Sequence, residues 1–211
     1  MSINSLQQSL RIINAELKEA EERREKLLKG TRDVVSLCSK SIVDLHHGKQ
    51  DEAKEKLCKA NVMLAEFRGY TKDDLQKYLL VPEQEFVEAS VLISVVEDSE
   101  IPSSLDLKVS GPAYTMGLLD CIGECKRRVY DKVRKDSLVE AQNLFNFMEE
   151  IYGLVYPFAI YDNLVGGLKR KLDVAKFLIE DVRSLITEES RRQNLMGAIE
   201  HLENRFRMTE Q

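Results

Sequence analysis

The sequence holds no tryptophan, only three histidines and four prolines, and its four cysteines form no C-x-x-C pair. Each shortage excludes something. His46 and His47 stand side by side and His201 lies near the end, so no Glu-x-x-His repeat exists to build a ferritin-like di-iron centre. The separated thiols Cys38, Cys58, Cys121 and Cys125 do not form a structural zinc cluster. Unpaired cysteines within helical patterns point instead to a reduced, cytoplasmic setting. No Ser/His/Asp arrangement, P-loop or dinucleotide fingerprint is present. No signal peptide opens the chain, and no apolar run reaches membrane-spanning length, so no membrane partner is expected. A basic excess is missing as well: the net charge is −5 and the pI about 5.4. A nucleic-acid site would therefore be a local basic patch working against the global sign. No Pro- or Gly-rich linker divides the 211 residues, which reads as one domain over 1–211.

Period-two alternation is absent and helical periodicity is everywhere, so the fold class expected is all-α, a bundle of about seven helices. Leu6, Leu10, Ile13, Leu17 and Ala20 step by alternating fours and threes, and Leu27, Val34, Cys38 and Leu45 continue the phase. This predicts one long helix over 3–47 with a coiled-coil-like seam. Arg24 and Thr31 interrupt the seam, Gly30 weakens it by about 1 kcal/mol relative to alanine, and Gly48 ends it. A second helix covers 51–67, with Ala53, Leu57, Ala60 and Leu64 inward. Residues 68–80 read as a connection with a short helical turn, and 97–109 as a loop. Ser110 can cap the next helix, which carries Pro112 in its first turn and runs to about 135. Further helices are predicted over 137–156, 163–187 (with Leu164 on its stripe) and 187–206.

The segment 82–96 stands apart. From Phe86 to Val96 its one charge is Glu88, so as a helix it belongs inside the domain. Glu85 and Glu88 share a face, and a buried carboxylate needs a partner, a proton or a metal. Acids in a first turn complement the helix dipole, which accounts for Glu83 and also covers Glu85, but accounts less well for Glu88. A second pair, Asp120 and Glu124, lies four apart on the 110–135 helix, where Gly117 and Gly123 leave room for close approach. Alone, that pair reads as a solvated face, with Arg127 one turn on as a partner for Glu124. Taken with Glu85 and Glu88, two helices each offer a carboxylate pair, a donor set suited to Mg²⁺ or Mn²⁺. Basic residues cluster nearby: Lys126, Arg127 and Arg128 after Glu124, Arg68 and Lys72 before the buried helix, and Arg23, Arg24, Lys29 and Arg32 on the first helix. Such runs form solvated faces, and beside a carboxylate-held metal they also suit a phosphate backbone.

Four segments together resemble one family. QEFVEAS at 84–90 is similar to the Q-E-[YF]-V-E-A motif of translin-associated factor X (Trax), and LLDCIGECKRR at 118–128 to that family's D-L-T-G-E-L-x-R segment. REKLLKGTRDVVSLCSKSIVDLH at 24–46 resembles the family's opening helix, and LKRKLDVAKFLIEDVRSL at 168–185 its late helix. The resemblance to the translin/Trax family spans about 20–192 and leaves 190–211 as a C-terminal helix outside the pattern. It implies an all-α subunit that assembles with itself into a hollow, octameric barrel and binds single-stranded nucleic acid, RNA first and single-stranded DNA as the alternative. Trax-type subunits are Mg²⁺-dependent endoribonucleases, whereas translin-type subunits lack the acids and mainly bind. Because Glu85, Glu88, Asp120 and Glu124 stand at the four acidic positions, the resemblance implies the catalytic type, with these residues as catalytic metal ligands. Arg24, Arg32, Arg68, Lys126, Arg127 and Arg128 would hold the strand. The compact chain looks like an archaeal homologue. The competing expectations are a non-catalytic single-strand-binding assembly and a helical scaffold for protein partners.

Overall fold

The computed structural model describes residues 3–71 and 75–209. Seven α-helices account for most of them: α1 (Asn4–His46), α2 (Gln50–Tyr70), α3 (Leu80–Glu97), α4 (Ser104–Leu107), α5 (Gly111–Arg134), α6 (Leu138–Val155) and α7 (Leu168–Thr209). Two 3₁₀ segments, Gln76–Tyr78 and Tyr156–Tyr161, join them. Among the described residues there is no strand, and no helix is long and apolar enough to cross a membrane. The chain divides into two compact units, Met1–Gly117 and Leu118–Gln211, so α5 begins in the first and ends in the second.

In the first unit α1 packs on α2 and α3. The C-terminal half of the predicted seam (Leu27, Val34, Cys38, Leu45) is buried, together with Thr31, expected to interrupt it, and Ser41. Its two hydroxyls are satisfied: Thr31 Oγ1 donates back to the Leu27 carbonyl at 2.7 Å, and Ser41 Oγ reaches across to the Ala53 carbonyl of α2 at 2.8 Å. The N-terminal half of the same seam is bare, with Leu6, Leu10, Ile13 and Leu17 exposed. Gly30 has a different role from the weak point expected of it. A Cβ there would lie only 2.0 Å from Cζ at the tip of the Phe67 ring from α2, so this glycine makes room for the last buried residue of that helix.

From Phe86 to Ile93, where Glu88 is the only charge, α3 is buried all round, as a nearly uncharged segment must be; Phe86, Val87, Ala89, Val91, Leu92 and Ile93 lie in the core. Asp98 ends it in the left-handed conformation (φ 51°). The loop expected over 97–109 contains the short helix α4, held by a capping box. Ser103 Oγ accepts from the Asp106 N–H at 3.2 Å, and Asp106 Oδ2 accepts from the Ser103 N–H at 2.8 Å. At Gly117 the close approach expected from sequence is real: a Cβ would lie 2.6 Å from the Gln84 carbonyl and 2.7 Å from Val87 Cβ on α3. At Gly123 it is not, the nearest atom being an ordinary 3.9 Å contact with Leu178.

In the second unit α6 buries Ala141, Leu144, Phe145, Met148 and Ile151, the stripe its spacing predicts. The helix expected to start at 163 starts at Leu168 instead. Residues before it form the 3₁₀ segment and turns; Gly167 sits at φ 88°, Asp162 Oδ1 accepts from the Lys169 N–H at 2.8 Å, and Leu164 is exposed rather than inward. The two helices expected to meet at Thr187 are one. Neither proline nor glycine interrupts the chain there, and the Thr187 hydroxyl donates to the Arg183 carbonyl at 2.8 Å, which seats it within a helix.

Gly30→Ala should lower the melting temperature. Helix propensity favours alanine by about 1 kcal/mol, but overpacking against Phe67 costs about 1–3 kcal/mol. Adding Phe67→Leu should recover part of the loss, and thermal denaturation of the two variants checks both.

Candidate nucleic-acid and metal site

The first unit contributes α3 and its surroundings. Glu83, read from sequence as a dipole-complementing first-turn acid, is 5% exposed. Its Oε1 accepts from Arg68 Nε at 3.2 Å, and its Oε2 accepts from both the N–H and the hydroxyl of Ser110 at 3.0 Å. Arg68 also donates through Nη2 to the Leu107 carbonyl at 3.3 Å. The guanidinium expected to face a nucleic-acid strand is thus engaged by a buried carboxylate and a backbone oxygen. Lys72 lies outside the described residues.

Glu85 and Glu88 follow on the same helix. Glu85 is half-buried and Glu88 is 9% exposed. Their charge reaches the fully buried Cys38 of α1: burial first, then Glu85 and Glu88, pushes that thiol up to about 12. On α1 itself, Arg24 donates to the Tyr78 hydroxyl at 3.0 Å, pairs with Glu21 at 2.7 Å and lies over the Tyr78 ring. Arg23 pairs with Glu19 at 2.8 Å, while Lys29 and Arg32 are exposed.

The second unit contributes the rest of α5. Asp120 and Glu124 are both half-buried. Both oxygens of Asp120 accept from Lys171 on α7. Two residues beyond Glu124, Lys126 pairs with Asp181 of α7 at 2.6 Å and lies over the Tyr130 ring, whose hydroxyl donates to Asp181 at 2.7 Å. Those two donors, Lys126 first, hold the Asp181 carboxyl below its usual range. Arg127 is exposed; Arg128 is half-buried, and burial lowers its pKa. Lys171, Asp181 and Tyr78 are the partners that sequence reasoning missed. They lie on other elements, 51 to 55 residues away from the groups they engage, and only the KRK run at 169–171 hinted at a charge near the late helix.

The donors suit a hard divalent cation, since carboxylate oxygens are what Mg²⁺ and Mn²⁺ prefer, and each unit offers a pair on one helix face. Among the described residues, no three or more His, Cys, Asp or Glu side chains gather within reach of one metal ion. Each pair suits such an ion in donor chemistry and in spacing along its own helix, but the described residues bring together no cluster that would hold one, and Asp120 is matched by Lys171.

No family model matches the sequence. An uncharacterized protein of Methanocaldococcus jannaschii is 34% identical over 160 residues, 74% of this chain and 72% of that protein. The structure of AfC3PO superposes with a TM-score of 0.80 at 31% identity, covering 87% of this chain and 98% of AfC3PO. The chain belongs to the translin/Trax family. The complex of AfC3PO with duplex RNA matches equally well, at a TM-score of 0.80 and 30% identity over 87% of this chain and 97% of that one. Apo-NeC3PO, at 19% identity, shares the translin/Trax fold with a TM-score of 0.76, over 85% of this chain and 96% of its own. The all-α class, the helix count and the family expected from sequence all hold.

Two outcomes follow from the geometry. Arg68→Leu should destabilise the protein by roughly 3 kcal/mol, because it strands the Glu83 charge in the core, and chemical denaturation measures the loss. Cys38 keeps its proton in the folded state after an unfolded thiol has lost it. The folded state then binds more protons, so stability falls as pH rises above about 9, by up to about 1.4 kcal/mol per unit. Cys38→Ala should flatten that alkaline decline, read as the change in melting temperature between pH 8 and pH 10.5.

Proposed function

We propose that this protein is a metal-dependent endoribonuclease that binds RNA and cuts it within a homo-oligomeric particle, an octameric barrel of the translin/Trax type, in the cytoplasm. The observation that carries the reading is the presence of acids at all four positions, Glu85, Glu88, Asp120 and Glu124, in a chain whose family is established. Two of them lie on a helix that otherwise excludes charge from 86 to 96. These four side chains would hold Mg²⁺ or Mn²⁺. Such an ion supplies a water of lowered pKa and neutralises charge at a scissile phosphate.

The chain's own residues do the rest. Arg127 and Arg32, both exposed, are the cations best placed to meet phosphate oxygens, with Arg24, Lys126 and Arg128 held closer in by neighbours. Arg68 can join them only by sharing its guanidinium with Glu83. Lys171 holds the Asp120 carboxylate in position and balances its charge until the site is loaded. The barrel interior would favour single strands by access. AfC3PO, however, has been solved with duplex RNA, so strand preference is tested directly by competing single-stranded against duplex RNA.

A second reading, a binding assembly without catalysis, is favoured by the Lys171 ammonium on Asp120. The experiment that separates them is cleavage of a labelled single-stranded RNA with Mg²⁺ or with EDTA, binding followed in parallel. With the wild type, Mg²⁺-dependent cutting is expected. In Glu88→Ala it should fall by at least about 100-fold, the scale of losing one charge-stabilising group at a reacting centre, while binding persists. A wild type that binds and never cuts, whichever metal is supplied, establishes the binding assembly instead.

A further inference from the structure

Helix α7 opens with three cations in a row, Lys169, Arg170 and Lys171. Lys169 and Arg170 are exposed. Lys171 is turned the other way. Leu168, one turn before it, and Leu172, beside it, are buried at 0% and 3% exposure, and its ammonium donates to both oxygens of Asp120 on α5. The lysine and the aspartate keep 25% and 26% of their side-chain surface, so water screens this pair less than it screens a fully exposed one. Further along, Leu178 lies in ordinary contact with Gly123, and Asp181 takes Lys126 and the Tyr130 hydroxyl. These two ion pairs between α5 and α7 run in opposite senses: acid on α5 and base on α7 in the first, base on α5 and acid on α7 in the second. Of the two, the first engages one of the four acids.

We infer that Lys171 is a tethered competitor for the divalent ion at Asp120, and that this lysine sets how tightly the ion is held. The inference rests on the reading of Asp120 as a metal ligand and names the residue that regulates it.

Geometry, charge and tethering each point to competition. An ammonium that donates to both carboxylate oxygens stands between them, which is where an ion chelated by both would stand, and two cations do not share that place. The ion pair has no net charge, so Asp120 and Glu124 together present a dication with at most one negative charge instead of two. The ammonium is a compact charge on a flexible stem, and the buried Leu168 and Leu172 fix the backbone from which it reaches. A group tethered in this way competes at an effective concentration that dilution cannot lower. Mg²⁺ also gives up its waters reluctantly, so a carboxylate already matched by a charged donor is a poor exchange for them. An orienting role for Lys171 makes the opposite prediction. If the lysine only held Asp120 in place, removing it would weaken metal binding; as a competitor, its removal strengthens it.

The test uses the full chain and does not depend on nuclease activity. The protein is titrated with Mn²⁺ alone, and the free ion is followed by electron paramagnetic resonance. Lys171→Met keeps the aliphatic stem and Lys171→Gln keeps a polar head, so the result does not hang on the folding of one variant, and circular dichroism checks both. Each should bind Mn²⁺ more tightly than the wild type by about ten- to a hundredfold, the size of effect that groups touching a metal's ligands have on its affinity. Lys171→Arg, which keeps the charge, should not. Lys126→Met removes the same charge from the second ion pair and should leave the affinity nearly unchanged. Adding Asp120→Asn to Lys171→Met should abolish the gain. Lys171 variants that bind Mn²⁺ no tighter than the wild type, or a gain that survives Asp120→Asn, overturn the inference and leave the metal-dependent reading standing. If neither the wild type nor any Lys171 variant takes up Mn²⁺, both fall.

Discussion

A single buried carboxylate organises the first unit. Glu83 has two oxygens and fills them with the Arg68 guanidinium and with the N–H and hydroxyl of Ser110. Through Arg68 the same network reaches the carbonyl that ends α4. The end of α2, the first turn of α3, the end of α4 and the residue before α5 are thereby tied to one side chain. An ion pair of this kind adds little to stability against an apolar replacement, but is costly to break from one side. What it provides is position. Glu85 and Glu88 lie two and five residues further along the same helix, and their place in the first unit is set by where Glu83 is pinned and by how closely Gly117 lets α5 approach Val87.

The acids were legible in the sequence because the family motif and the helical spacing both mark them. Their partners were not. Lys171 and Asp181 are recognised as partners only once α5 and α7 lie together, and nothing in local periodicity reports a pairing across 51 residues. The long first helix, the buried third and the stripe of α6 were legible for the opposite reason, since each is a local repeat of apolar residues at the helical period. Where the reading erred, the local signal was ambiguous. The sequence around Thr187 turns polar without any breaker, and a polar run of Glu, Arg, Gln and Leu continues a helix as readily as it starts one. Ser103 and Asp106 are a capping signature too short to stand out from a loop. Gly30 has low helix propensity on any scale, and only the ring of Phe67 explains why an alanine would be worse.

The four acids and the bare apolar stripes sit on different elements, the acids on α3 and α5 and the stripes on the outlying ends of the two long helices α1 and α7. The packed portions of α1 and α7 border the acids of α3 and α5, as Cys38 and Lys171 show. The outlying portions carry apolar surface with no role in either core.

The Lys171 ammonium on Asp120 has one further consequence. A divalent ion taken up at that carboxylate would displace the ammonium rather than add to it, so the local charge would change by one. The amine is also chemically distinct from every acid in the site. Acetylating it would remove a cation from α7 without touching a carboxylate. Asp120 would then have one fewer positive neighbour, and a modification on one helix would set the charge of a group on another.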